Sequence, residues 1–383
     1  MIAVIADDFT GAAELGGVGI RHGYHVVIDT KVNCNISADI LIIATDTRSL
    51  DAECGAAEVG KITRELLALN PDFIYKKVDS ILRGNVGEEL IAQMRACSRN
   101  RALVIPANPA LQRTIREGIY YYNTKPLHEY NFTDRGRKRN SSQVMDLLGS
   151  SVKTHASVVS TDDELPVKGL LIGNTEHVSD LDNWVQKIDA QTIPSGGSGF
   201  FDAILRARND RRMVEHRPVQ LGQKILYICG SAFAGSRKAV SDAEFSGQKV
   251  VYMPEKLLYN EDADAALLAD WENQVMQAIT EGSRVIVAIG KIHSEHTEDL
   301  PRRVRRAVAD LVDSILREAK IDELIIEGGA TAHAIIQKQK FSKFYPVNEL
   351  APGTIRMKVE ENENLFLTLK PGSYLWPDSI WQY

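Results

Sequence analysis

The sequence predicts two α/β domains, each built on a mostly parallel sheet. Short apolar runs alternate with helix-length amphipathic segments, the signature of successive β-α-β units. The alternation is interrupted near the middle by a basic, polar stretch. A chain of 383 residues is also two domains long at roughly 100 to 200 residues each.

In order, the expected strands of the first half are IAVIA (2–6), ILIIAT (40–45), FIYKKV (73–78), ALVIPA (102–107) and LLIG (170–173). Residues 119–145 break the pattern, being tyrosine-rich and then polar and basic, and are expected to leave the sheet as a long loop or mobile flap. Tyr120, Tyr121 and Tyr122 read as packing residues. The segment 206–223, with Pro218 and Gly222 near its end, is the expected linker, which sets the domains at 1–215 and 216–383. Beyond it come KILYICG (224–230), KVVYM (249–253), RVIVAIG (284–290) and ELIIEGG (323–329), and TIRMKV and NLFLTLK are expected to close the second sheet as antiparallel strands.

Apolar residues make up 44% of the chain and charged residues 25%, so substantial cores can form without disulfides or structural metals. The formal charge of −6 argues against nucleic acid as a partner. Two basic clusters, Arg135, Arg137, Lys138 and Arg139, then Arg302, Arg303, Arg305 and Arg306, read as solvated loop and helix faces. Cys34, Cys54, Cys97 and Cys229 are scattered and fit reduced thiols. No apolar run is long enough to span a bilayer and the N-terminus reads as a buried strand, so the expectation is a soluble cytoplasmic protein without a membrane partner.

Candidate chemistry gathers where strands end, the edge at which open α/β sheets bind ligands. Asp7 and Asp8 follow the first strand; they can take a proton from a hydroxyl or hold a metal, or one of them can simply cap the next helix. Lys76, Lys77, Asp79, Ser80, Arg83 and Asn85 crowd another such junction, and Arg48 stands at a third. Cations suit a carboxylate, and Asp79 and Ser80 suit hydroxyls, so a small polyhydroxylated anion fits this edge.

In the second half, GSAFAGSRK (230–238) has P-loop glycine spacing but carries Ser236 and Arg237 where a Walker motif needs Lys and Ser or Thr. Ser231 and the backbone of that turn can still meet phosphate. Gly328, Gly329, Ala330 and Thr331 form a second small-residue turn that lets a nucleotide approach the backbone, and Gly372 marks a third. No G-x-G-x-x-G follows any strand, which argues against a nicotinamide oxidoreductase. His293 and His296, with Glu295 and Glu298, read as a solvated turn, and PSGGSG at 194–199 reads as a helix-entry loop that could also cradle an anion.

DDFTGA, the Arg48-containing TRS, KKVDSILRGN and PANPALQRT in the first half, and GS at 230, GG-x-T at 328 and KPGS at 370 in the second, resemble the four-carbon acid sugar kinase family. The likeness implies ATP-dependent phosphorylation of a small sugar acid such as threonate, erythronate or a 2-oxo-tetronate. It implies an acid-binding N-terminal domain, a nucleotide-binding C-terminal domain and an active site in the cleft between them. By position, Asp7, Asp8, Arg48, Lys76, Lys77, Asp79, Ser80 and Arg83 would serve the acid, with Asp8 the preferred base. Ser231, Gly328, Gly329, Ala330, Thr331 and Gly372 would serve ATP. Mg²⁺ is an implied cofactor whose ligands are unassigned, and a homodimer is compatible with the reading. Two departures stand out: Ala330 occupies a position that is usually acidic in the family, and the Gln usual downstream of Gly230 is missing. Glu327 is the nearest replacement carboxylate in sequence and reads equally well as structural. A silent relative that senses an acid or a nucleotide is the alternative.

Overall fold

The computed structural model describes residues 1–130, 132–134, 137–208, 214, 219–231, 233–259, 265–290, 300–372 and 374–381. The chain divides into two compact units, Met1–Val214 and Glu215–Tyr383.

The first unit runs β1 (Ile2–Ala6), α1 (Phe9–Arg21), β2 (Val26–Asp29), β3 (Ile40–Ala44), α2 (Ala52–Leu67), β4 (Ile74–Lys77), α3 (Val86–Cys97) and β5 (Arg101–Ile105). After these come β6 (Arg113–Arg116), β7 (Ile119–Tyr122), β8 (Lys125–Pro126), β9 (Thr133–Asp134), β10 (Arg137–Lys138) and α4 (Val144–Leu147). It closes with β11 (Ala156–Val159), β12 (Gly169–Gly173), α5 (Val178–Val185), β13 (Thr192–Gly196) and α6 (Ser198–Arg208). Its parallel sheet has the order β11-β12-β5-β13-β4-β1-β3-β2. Strands β1, β3 and β12 read directly from their apolar runs, because a strand covered on both faces is apolar throughout. The central strand β13 does not: Pro194 and three nearby glycines give it the composition of a turn. Gly196 faces Ile105 in the ladder, and a Cβ there would collide with the Ile105 carbonyl oxygen. Gly196→Ala should therefore destabilise the first unit by about 1–3 kcal/mol, as overpacking does; an unchanged urea midpoint would contradict the close approach.

Residues 119–145 do leave the main sheet, and the described ones are short paired strands and turns rather than one long loop. β6, β7 and β8 form an antiparallel meander, and β9 pairs with β10. Ile115, Tyr120, Leu127 and Val144 are buried in one core cluster with Val104 and Leu170 of the main sheet. The strands are too short to show a period in the sequence, and their buried aromatic and aliphatic side chains anchor them. Tyr122 packs with Tyr130 and Phe132, in keeping with a packing role. Trp184, the first unit's one tryptophan, is buried and donates to the Asn174 carbonyl (3.0 Å).

The second unit runs β14 (Ile225–Cys229), α7 (Ala234–Phe245), β15 (Val250–Tyr252), α8 (Lys256–Tyr259), α9 (Ala265–Glu281), β16 (Arg284–Ala288), α10 (Leu300–Glu318), β17 (Glu323–Glu327) and α11 (Gly329–Gln339). It ends with β18 (Lys343–Ala351), β19 (Thr354–Val359), β20 (Asn362–Lys370) and α12 (Asp378–Trp381). Its strand order is β18-β19-β20-β17-β14-β16-β15, with β18, β19 and β20 antiparallel and the rest parallel. TIRMKV and NLFLTLK close the sheet as expected. Trp376 and Trp381 stack with centroids 4.2 Å apart and their planes at 21°, and both meet Tyr227.

All four cysteines are free. Among the described residues no helix is long and apolar enough to cross a membrane. Arg135, the His293–Glu298 cluster and Pro218 lie outside the described residues.

Candidate active site

β3, β1 and β4 are adjacent and parallel, with Ala44, Ala6 and Lys77 in register at their ends. Their three following turns must therefore emerge side by side. This brings Asp7, Asp8, Arg48, Lys77, Asp79 and Arg83 together. Arg48 is the hub: Nε and Nη2 bind the two oxygens of Asp7 (2.8 and 3.0 Å), while Nη1 reaches Asp8 Oδ2 (2.9 Å) and Asp79 Oδ1 (3.3 Å). Arg83 grips Asp79 from the other side, with Nε on Oδ2 (3.0 Å) and Nη2 on Oδ1 (2.6 Å).

The three carboxylates are not equivalent. Asp8 is the N-cap of α1 and accepts from Gly11 N (2.8 Å), so the capping role and a chemical role coexist in one residue. Its side chain is 18% exposed, against 4% for Asp7 and 5% for Asp79. Burial pushes the Asp8 carboxyl up; Arg48 opposes this, Asp7 adds to it, and the net result lies above the ordinary value. Burial also pushes Asp7 up, but Arg48, Lys76 and Lys77 hold it below. Asp79 is likewise raised by burial and is held well below by Arg83, Arg48 and Lys77. Asp8 is thus the carboxylate that is both reachable and most ready to take a proton.

The two consecutive lysines part company. Lys77 Nζ lies 2.9 Å from the Val78 carbonyl and 3.6 Å from Glu14 of α1. Lys76 is fully buried, with its ammonium 2.7 Å from Glu89 of α3, so it is withdrawn from the ligand edge. Asn85 is also turned inward, donating to the Leu50 carbonyl (2.9 Å). Ser80 is tied through its backbone, its carbonyl accepting from the Tyr120 hydroxyl. Leu82 adopts φ 59°, a conformation that non-glycine residues rarely take, and the Arg139 guanidinium bonds its carbonyl (2.5 Å).

Arg139 was expected on a solvated face. Instead it pairs with Asp134 (3.0 Å), and Asp134 in turn meets Gly84 N (3.4 Å), so the meander and hairpin clamp the loop that carries Asp79 and Arg83. Lys138 is exposed, as expected. Glu14 and Glu89 were not singled out from the sequence, and Ser198 appeared only within PSGGSG. Glu14, which accepts from Ser198 Oγ (2.8 Å), lies six residues after Asp8, off the i+3 and i+4 spacing of a shared helix face, so the sequence held no periodic signal for it. Ser195 bonds the Lys76 carbonyl (2.9 Å), so PSGGSG is the end of β13 and its turn into α6.

The second unit repeats the arrangement. β20, β17 and β14 are adjacent and parallel, with Lys370, Glu327 and Cys229 in register at their ends. Their turns, at Gly372, Gly328 and Gly230, therefore converge. Gly328 has φ 96°, which favours glycine, and its N–H bonds the Lys370 carbonyl (2.9 Å). A Cβ on Gly372 would lie 3.2 Å from Ser231 Oγ and 3.8 Å from Gly328 Cα; one on Gly230 would lie 2.6 Å from Thr331 Oγ1. Side chains are thereby excluded from one small cradle where Ser231 and Thr331 sit. Gly329 and Ala330 open α11, with Ala330 exposed beside this cradle.

Glu327 does not substitute for an acid at position 330. It is fully buried, 2.8 Å from Lys370 Nζ, and accepts from the Ser236 hydroxyl. Each unit thus places one buried Lys–Glu pair beneath its ligand edge. Removing one partner strands a buried charge and should cost about 3–5 kcal/mol, whereas replacing both with apolar groups restores most of it. Glu327→Gln and Lys76→Met should accordingly lower the melting temperature while sparing the KM for ATP. The pairs Glu327→Leu/Lys370→Met and Lys76→Met/Glu89→Leu should recover stability. A selective loss of ATP use in Glu327→Gln, with stability intact, would overturn this structural role.

An ionic strand edge in one unit and a glycine-lined turn cluster in the other are the parts that a small-molecule kinase needs. Residues 2–237 match the model of a sugar-binding N-terminal domain and residues 226–374 that of a nucleotide-binding C-terminal domain. The chain belongs to the four-carbon acid sugar kinase family. It is 24% identical to the D-threonate kinase of Salmonella typhimurium, covering 91% of this chain and 89% of that one. It is 22% identical to the 3-oxo-tetronate kinase of Methylobacterium radiotolerans, covering 97% and 96%. Among solved structures it resembles a Salmonella typhimurium protein (TM-score 0.78, 18% identity, 99% and 97% covered) and a Haemophilus influenzae protein of the DUF1537 family (TM-score 0.72, 19% identity, 98% of each chain covered). The structural likenesses establish the fold.

Proposed function

We propose that the protein transfers the γ-phosphoryl group of ATP to a hydroxyl of a four-carbon sugar acid. The observation that carries the reading is Asp8, an accessible carboxylate of raised proton affinity set among Arg48, Lys77 and Arg83 at a parallel strand edge. Relatives named D-threonate kinase and 3-oxo-tetronate kinase support the acid class. The first unit takes the acid, with Arg48, Lys77 and Arg83 facing its carboxylate and developing charge, and Asp79 holding the two arginines. The second unit takes the nucleotide on the turns of Ser231, Gly328–Thr331 and Gly372. Asp8 accepts the hydroxyl proton as the new O–P bond forms and the bond from the γ-phosphorus to the β–γ bridging oxygen breaks, releasing ADP. Positioning and charge neutralisation supply most of the catalysis in such transfers. Reduced cysteines and ATP use fit a cytoplasmic setting.

Among the described residues no group of three or more His, Cys, Asp or Glu side chains is arranged to hold a metal ion. The acid-edge carboxylates are engaged by arginines and Glu327 by Lys370. These residues do not form a dedicated Mg²⁺ cage; the ion fits a role as a companion of the nucleotide phosphates.

A coupled ADP assay over threonates, erythronates and oxo-tetronates tests the reading, with mass spectrometry expected to find one added phosphate on the acid. The exposed Ala330 keeps the silent-sensor alternative in view. Binding of acid and ATP without any phosphorylated product would favour it over the kinase.

A further inference from the structure

Beside the glycine cradle of the second unit stands an apolar feature that neither the phosphates nor the acid would use. Phe233 and Leu375 come from separate segments, one preceding α7 and the other following Gly372, yet both lie close to Gly235. A Cβ on that glycine would lie 3.1 Å from Phe233 Cε1 and 3.8 Å from Leu375 Cδ2. Both side chains are exposed, Phe233 to 46% and Leu375 to 79%. Each also sits within three residues of a cradle element. Phe233 N donates to Ser231 Oγ (3.2 Å), and Ser231 Oγ in turn donates to the Gly372 carbonyl (3.4 Å).

Exposed apolar surface rimming a polar cradle is the composition of a small-molecule site: convergent polar groups fix one end of the ligand, and an apolar wall takes the other. A ligand with phosphates at Ser231 and Gly372 has one apolar, planar part left to bury, its base. We infer that Phe233 and Leu375 form a clip for the purine ring of the nucleotide, the aromatic face stacking on it and the leucine covering it. This rests on the nucleotide reading of the second unit and assigns the base-recognising residues within it.

The test compares ATP with tripolyphosphate, which keeps the phosphate chain and lacks the base. Binding of each is measured by titration calorimetry on wild type, Phe233→Ala, Leu375→Ala and the double variant. Both side chains are exposed, so their truncation spares the core, and a melting curve for each variant checks this. Each single variant should weaken ATP roughly tenfold, the scale of a base–aromatic stack, with tripolyphosphate binding changed by less than about twofold. In the double variant the preference for ATP over tripolyphosphate should nearly vanish. Equal losses for both ligands would show that the pair only shapes the turns, and unaltered ATP binding would place the base elsewhere; either overturns the clip. If wild type takes up neither ligand, the nucleotide reading itself fails and the clip falls with it, an outcome distinct from the other two.

Discussion

Asp8→Asn should lower kcat by about 10²- to 10⁴-fold, the usual contribution of a positioned general base, while leaving the KM for ATP near its wild-type value. Asparagine is as good an N-cap as aspartate, so α1 keeps its start and the fold survives. What is lost is the group that accepts the hydroxyl proton. The pH profile supplies a second readout. Because the Asp8 carboxyl lies above the ordinary carboxylate value, wild-type kcat should rise as pH increases through that pKa and then level off. The residual activity of the variant should lack this acid limb. If Asp8→Asn retains both the rate and the limb, another residue is the base. Asp7 would be a poor replacement, since both its oxygens are committed to Arg48 and it is almost wholly buried.

Arg48→Ala should strongly destabilise the first unit. The guanidinium contacts three carboxylates, two of them within 5% of full burial. Its removal leaves them facing one another in a poorly solvated edge, a change worth about 3–5 kcal/mol where one partner of a buried pair is deleted. The acid site should be lost with it. The sign of the pH dependence follows from Asp79 and Asp7, whose carboxyls are held down in the folded protein. They contribute stability that is fully present above the unfolded carboxylate pKa of about 3.9 and is lost as pH falls through the lower folded values. Without Arg48 those values rise, so part of that stabilisation should already be missing at neutral pH. Urea unfolding at pH 7 and pH 4 measures this: the gap between wild type and variant should narrow in acid. A gap that is small at pH 7, or one that widens at pH 4, would refute the hub role.

The strands and their ligand edges were legible because buried parallel strands are apolar throughout and their chemistry starts where the apolar run stops. Which residues of an edge face a ligand was harder to read. Lys76 and Lys77 look alike as a pair, but successive side chains of a strand point to opposite faces. Here one face meets Glu89 of α3 and the other meets Glu14 of α1, and only the packing of those helices decides which lysine is spent on an internal pair. Glu327 is the same case: adjacency to the glycine turn left a replacement acid and a structural role equally open, because its partner Lys370 lies 43 positions away in sequence and beside it in the sheet. Arg139 was hidden for a third reason. It sits in a basic run whose local composition describes a wet surface, and its partners, Asp134 across the hairpin and the Leu82 carbonyl, are set by the fold of that hairpin and its return onto the loop. β13 was obscured by its own proline and glycines, of which Gly196 is needed because the Ile105 carbonyl comes so near.

The uneven placing of the indoles gives the two units separate optical signatures. Trp184 is alone in the first unit, whereas the second holds Trp271 and the stacked Trp376 and Trp381. Two rings at 4.2 Å couple their electronic transitions, so a circular-dichroism couplet from that pair belongs to the second unit alone. A Trp184→Phe protein would make the remaining fluorescence report on the second unit only, and subtraction from wild type would isolate the first. Whether the units melt together or one after the other can then be read in one cuvette, without attached dyes.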